Sequence, residues 1–147
     1  MTENLTTVQS VQKSRPTGVW ILTIYALILL GILPFLLSFL LLVSGNAAGN
    51  EISILFSLLI SIGVIISAIG AWKGNEKARK SLLFFVTLHY VFVAINNYSM
   101  INSGQVPIDE QGRAWGAVVR GFIYPAVYIW YFTKYTTKDY YNGSASS

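Results

Sequence analysis

Residues 18–43 read GVWILTIYALILLGILPFLLSFLLLV and contain no charged side chain. About 20 apolar residues suffice to cross the roughly 30 Å hydrocarbon core of a bilayer, and this stretch is longer. The small residues at 44–49 make a cleavable signal peptide the competing interpretation, but the apolar core of such a peptide is only about 7–15 residues long. We therefore expect an uncleaved transmembrane helix.

Three more apolar blocks follow, at about residues 52–72, 81–99 and 114–133. Arg120 in the last block is the only charged residue that any of them contains. The whole chain is 54% hydrophobic and 11% charged, whereas soluble domains carry about 25% charged residues. The sequence therefore predicts an all-α integral membrane bundle of four antiparallel transmembrane helices with short loops.

The polar ends of the chain complete the predicted organisation. We expect residues 1–17 to be a disordered cytoplasmic tail, residues 18–133 to be the transmembrane domain, and residues 134–147 to be a free cytoplasmic tail. The chain has no cysteine, which excludes disulfide scaffolds, thiolate metal sites and thiol nucleophiles.

The basic residues predict the orientation. With four spans, eight of the ten lie on the side of the two termini and the middle loop: Lys13, Arg15, Lys73, Lys77, Arg79, Lys80, Lys134 and Lys138. The positive-inside rule places that side in the cytoplasm, so the protein is expected in the cytoplasmic (inner or plasma) membrane. The net charge of +4 then reflects topology and attraction to anionic lipids, and nucleic acid is not an expected partner.

Small residues recur at four-residue steps along the second block. They form two ridges, Ser53, Ser57 and Ser61 on one and Gly63, Ser67 and Ala71 on the other. Helices in lipid associate through such residues, because small side chains allow backbones to approach closely. Packing within the chain is the favoured interpretation, and the seam of a homo-oligomer is the alternative.

Two prolines, Pro34 and Pro125, lie inside the first and fourth blocks. Each removes a backbone hydrogen bond and is expected to kink its helix. We favour tolerated kinks over functional hinges, because proline is common in membrane helices.

Arg120 is the most informative single residue, because a charge inside a span costs a few kcal/mol and normally faces protein or water. Helical spacing places Tyr124 on the same face, and His89, Asn96 and Asn97 form a polar arc on the third block. One interpretation is an outward-facing pocket for an anionic or polar ligand, with Asp109 and Glu110 above it as candidate counter-ions. The favoured alternative is that Arg120 extends to the lipid headgroups while the other polar side chains cross-link two helices.

His89 is the only histidine, so one axial haem or pigment ligand is conceivable, but a pair of axial histidines is not. A hydrogen-bonded core histidine is favoured, and no cofactor or metal is expected. All six acidic residues lie outside the apolar blocks, which argues against a proton-coupled exporter and against an enzyme.

The favoured function is a non-enzymatic subunit or accessory protein that acts through helix–helix and lipid contacts. Its partners would be the bilayer and either further copies of the chain or a larger membrane complex. The alternative is a small transporter or ligand-binding membrane protein that uses the polar face of the third and fourth helices.

Overall fold

The computed structural model describes residues 16–45 and 51–144, and all regular secondary structure there is helical. Residues 1–15 of the predicted disordered tail lie outside the described residues. The described part contains five helices and one 3-10 turn, Ile108–Glu110. The helices are α1 (Thr17–Val43), α2 (Glu51–Trp72), α3 (Glu76–Asn102), α4 (Gln111–Thr133) and α5 (Tyr135–Ser144).

The all-helical prediction is confirmed. Three of the helices, α1, α2 and α3, are long and apolar enough to cross a membrane, which fits a helical membrane bundle. At 23 residues α4 is as long as α2, but it carries Arg113 and Arg120 and is not among those three. The helices also extend beyond the predicted apolar blocks, most clearly at both ends of α3.

The turns between helices have clear local causes. Gly74 has φ 83° and Gly104 has φ 70°, a backbone conformation that glycine adopts without steric cost. Asn75 then caps α3, because its side-chain oxygen accepts hydrogen bonds from the backbone N–H groups of Lys77 at 2.9 Å and Ala78 at 3.1 Å.

The first helix widens into a π-helical segment at Ala26–Ile32, just before Pro34. Proline has no N–H to donate to the preceding turn, and its ring needs room there, so a wider turn relieves both problems. In this segment Gly31 lets α1 approach α2, since a Cβ there would lie 2.7 Å from Ile65 Cγ1. By contrast, α4 remains α-helical on both sides of the buried Pro125.

The α3 and α4 helices pack against each other along their length. At one end the rings of Tyr98 and Trp115 have centroids 6.2 Å apart. In the middle, a Cβ on Gly121 would lie 2.9 Å from the carbonyl oxygen of Tyr90 and would overlap Ala94. Only glycine at position 121 therefore allows this close approach.

The prediction of a free C-terminal tail is wrong for residues 135–144. These residues form α5, in which Thr137, Tyr140 and Tyr141 are buried. The three residues share one helical face because they are spaced three and four apart. That face packs against the end of α4, with the ring centroids of Phe132 and Tyr141 6.5 Å apart.

The α3–α4 contact predicts different effects of alanine at two glycines of α4. Gly121→Ala should lower the free energy of unfolding by about 1–3 kcal/mol, because the added methyl group overpacks the contact. Gly116→Ala is the matched control, since nothing lies within 4 Å of its Cβ position. Unfolding of the detergent-solubilised variants should separate the two, and equal stabilities would contradict the close contact.

Candidate functional site

Arg120 is exposed, and its Nε donates a hydrogen bond to the carbonyl oxygen of Gly116 at 3.1 Å. The side chain therefore lies along its own helix. Within the described residues, no hydrogen bond or ion pair joins it to Asn96, Asn97 or the acidic residues near position 110.

The two asparagines are half-buried on α3. The side-chain nitrogen of Asn97 donates to the carbonyl oxygen of Val93, one turn earlier, at 2.8 Å. This bond satisfies part of the amide within α3 itself. The structure thus places Asn96, Asn97 and Arg120 on the half of the α3–α4 pair that contains Tyr98 and Trp115, without joining them.

Tyrosines link three helices near the middle of the bundle. Tyr90 of α3 is 7% exposed, and its ring centroid lies 5.2 Å from that of Tyr124 on α4. One turn further along α4, the Tyr128 hydroxyl donates to the carbonyl oxygen of Leu22 on α1 at 3.0 Å. Tyr25, which directly precedes the π-helical segment, interacts with the Tyr90 hydroxyl.

This tyrosine cluster was only partly predictable. The four-residue spacing of Tyr124 and Tyr128 placed both on one face of α4. Their partners on α1, Tyr25 and the Leu22 carbonyl, are far away in sequence and left no local signal.

His89 is half-buried, and its ring makes an edge contact with Tyr90, with centroids 5.6 Å apart. Nowhere in residues 16–45 and 51–144 do three or more His, Cys, Asp or Glu side chains gather closely enough to hold a metal ion. A single imidazole without acidic neighbours provides at most one ligand to a cofactor.

The first small-residue ridge of α2 faces α1. The Ser38 hydroxyl donates to the Ser57 hydroxyl at 3.1 Å, and the Ser61 hydroxyl bonds the Ser57 carbonyl at 2.8 Å. Ser53, at the start of the ridge, is half-buried. The Ser38–Ser57 bond connects the second half of α1 to α2, whereas the Ser61 bond lies within α2.

The second ridge of α2 faces α3. The Ser67 hydroxyl donates to the Ser81 hydroxyl at 2.9 Å, and a Cβ on Gly63 would overlap the ring of Phe85. Ala71 is fully buried. Both ridges therefore contact neighbouring helices of the same chain.

Arg79 forms a buried polar centre that the sequence analysis missed. It is 4% exposed, and its Nη1 donates a hydrogen bond to the carbonyl oxygen of Phe132. Its Nε and Nη2 donate to the two carboxylate oxygens of Glu76 at 2.6 and 2.5 Å. The guanidinium carbon lies 5.5 Å from the ring centroid of Tyr141.

These contacts join three helices at one point. The Phe132 carbonyl is in the last turn of α4, where carbonyl groups lack helical partners. Arg79 satisfies this carbonyl from α3, pairs with Glu76, and supports the aromatic ring of α5 through a cation–π contact. The arrangement fixes the ends of α3, α4 and α5 together.

An apolar groove of about 380 Å³ runs between α3 and α4 from the middle of the pair to its Tyr98–Trp115 end. It is lined by Val91, Ala94, Ile95, Tyr98, Trp115, Val118 and Phe122. Such a lining suits hydrocarbon and offers little to a charged ligand.

No family model, curated protein or solved structure matches the chain. The hydrogen bonds of the described residues do, however, show which polar side chains join two helices. Arg120 and Asn97 bond within their own helices, whereas Arg79 and Tyr128 bond between helices. Arg79 and Tyr128 therefore hold the bundle together.

The Arg79 centre predicts that Arg79→Gln loosens α5 and lowers the free energy of unfolding by about 1.5–3 kcal/mol, the usual value of a hydrogen bond to a charged group. Limited proteolysis should release a C-terminal tag faster from Arg79→Gln than from the wild type. Lys77→Gln is the matched control, because Lys77 is exposed two residues away. Equal cleavage rates would show that Arg79 does not hold α5.

Proposed function

We propose that the chain is an integral membrane protein with four spans, α1 to α4, in which α4 crosses the bilayer beside α3. The support is the pairing of these helices from Tyr98–Trp115 at one end to Arg79–Phe132 at the other. The length of α4 is also sufficient, since 23 residues span about 34 Å. The exposed side chains of α4 include Phe122, Ile123 and Ile129, which suit lipid.

In this proposal both termini and the α2–α3 turn face the cytoplasm, and the membrane is the cytoplasmic one. The positive-inside rule supports this orientation, because Lys73, Lys77 and Lys80 lie at the turn and Lys134 and Lys138 lie just after α4. The 3-10 turn before α4 then faces outward.

The proposed role is that of a non-enzymatic subunit or accessory protein that works through helix–helix and lipid contacts. One observation carries this proposal: large apolar side chains are exposed on all four long helices, from Leu37 on α1 to Trp130 on α4. In lipid such surfaces are available to other helices as well as to acyl chains. Self-association and membership of a larger membrane complex both fit this role.

A second candidate role is that of a small transporter or ligand-binding protein. It is favoured by the position of Arg120 one turn from Tyr124, which is 36% exposed and contacts the buried Tyr90. A ligand bound to Arg120 would also contact Asn96, Asn97 and His89 only if the Arg120 side chain first gave up its hydrogen bond to the Gly116 carbonyl oxygen.

The four-span proposal can be tested directly, because the chain has no cysteine of its own. Single-cysteine variants Lys77→Cys, Gln105→Cys and Lys138→Cys place thiols at exposed sites on either side of α3 and α4. An impermeant maleimide applied to intact cells should label only position 105. Labelling of 105 and 138 from the same side would show that α4 does not cross the membrane.

The proposed role predicts that a tagged chain, purified in mild detergent, retains further copies of itself or other membrane proteins at a fixed ratio. Quantitative mass spectrometry measures that ratio. An Arg120→Gln variant should retain the same proteins, because this role does not use the arginine. A chain that purifies as a lone monomer would contradict the proposal, and loss of the retained proteins in Arg120→Gln would show that the arginine takes part in the association.

A further inference from the structure

Five exposed lysines gather at the end of the bundle where α2 meets α3 and α4 meets α5. We call this the basic end, and its lysines are Lys73, Lys77, Lys80, Lys134 and Lys138. Two acidic residues of the described chain also lie there, Glu76 and Asp139. Glu76 is already paired with the buried Arg79 and lies 3.5 Å from Lys80. The basic end therefore carries a clear excess of positive charge.

Indole rings lie beside these lysines. Trp20 and Trp72 pack together with ring centroids 6.2 Å apart, and Trp130 is 65% exposed. Tryptophan prefers the boundary between hydrocarbon and headgroups, because its ring is apolar and its N–H is polar. The lysines of the basic end are thus next to surfaces suited to that boundary.

The pair formed by Lys134 and Trp130 combines both features at one point. Lys134 Nζ lies 5.7 Å from the Trp130 ring centroid, in a cation–π arrangement. Lys134 is also the single residue between α4 and α5. Because Arg79 bonds the Phe132 carbonyl and contacts Tyr141, the chain is fixed on both sides of Lys134.

We propose that the basic end binds the headgroups of anionic phospholipids, with Lys134 and Lys138 contacting the phosphate and Trp130 lying at the level of the glycerol backbone. This inference rests on the proposed four-span topology, which brings the basic end to a membrane surface. Lipid is favoured over nucleic acid or an acidic protein because the lysines adjoin the exposed Trp130 ring and the apolar outer faces of the helices, which suit hydrocarbon and not a soluble polyanion.

Native mass spectrometry of the purified full chain, mixed with equal amounts of phosphatidylglycerol and phosphatidylcholine, tests the proposal. Wild type should retain phosphatidylglycerol preferentially, and the preference should weaken as salt is raised. In the Lys134→Gln/Lys138→Gln variant, relative retention of phosphatidylglycerol should fall by about fivefold for each lysine removed. Arg120→Gln removes one positive charge away from the basic end and is the control; it should behave as wild type, since Arg120 lies about four helical turns before Lys134.

Equal retention of both lipids by wild type, or an equal loss in Arg120→Gln, would overturn the proposal. So would stronger binding of a soluble polyanion, such as polyglutamate or DNA, than of phosphatidylglycerol vesicles. Alkaline carbonate extraction of membranes distinguishes this failure from failure of the proposed topology. A chain that stays in the extracted membranes but shows no lipid preference refutes only the lipid site, whereas a chain that is extracted refutes the membrane spans.

Discussion

The close approach of α3 and α4 at Gly121 is the constraint on which the rest of the bundle depends. Lipid does not drive apolar helices together, so their association relies on close packing and on hydrogen bonds between helices. At Gly121 the missing Cβ lets the Tyr90 carbonyl and Ala94 come into contact with α4. This approach brings Tyr124 onto Tyr90 and aligns the end of α4 with Arg79. The polar contacts on either side thus follow from one small residue.

The first helix joins this pair through backbone groups and small residues. The Tyr128 hydroxyl bonds the Leu22 carbonyl, and a Cβ on Gly18 would overlap the Tyr131 ring. Just beyond Tyr25, the π-helical segment carries α1 away from α4 and toward α2, where Ser38 bonds Ser57. In such a bundle hydroxyl groups link the helices, because the bilayer core contains no water that could satisfy their hydrogen bonds.

The sequence was sufficient for properties that depend on local composition. The block at residues 52–72 became the helix Glu51–Trp72, because a long uncharged stretch can satisfy its backbone only as a helix in lipid. Tertiary partners were not predictable in the same way. The Glu76–Arg79 spacing was visible, but the burial of Arg79 depends on the Phe132 carbonyl, 53 residues later. Likewise Thr137, Tyr140 and Tyr141 share a helical face. The residues around them are polar, so the sequence did not predict a helix there, and this face is buried because it packs on α4. Arg120 shows the same limit, since its bond to Gly116 depends on a side-chain conformation that spacing alone does not determine.

The central claim is that α4 lies in the bilayer beside α3 despite its arginines. A nitroxide spin label at Ile123→Cys tests it most directly in reconstituted vesicles, because Ile123 is 53% exposed near the middle of α4 and the chain has no other cysteine. The account predicts that dissolved oxygen relaxes the label strongly, whereas a water-soluble nickel chelate hardly reaches it. Strong relaxation by the nickel chelate and weak relaxation by oxygen would place α4 outside the hydrocarbon and contradict the account.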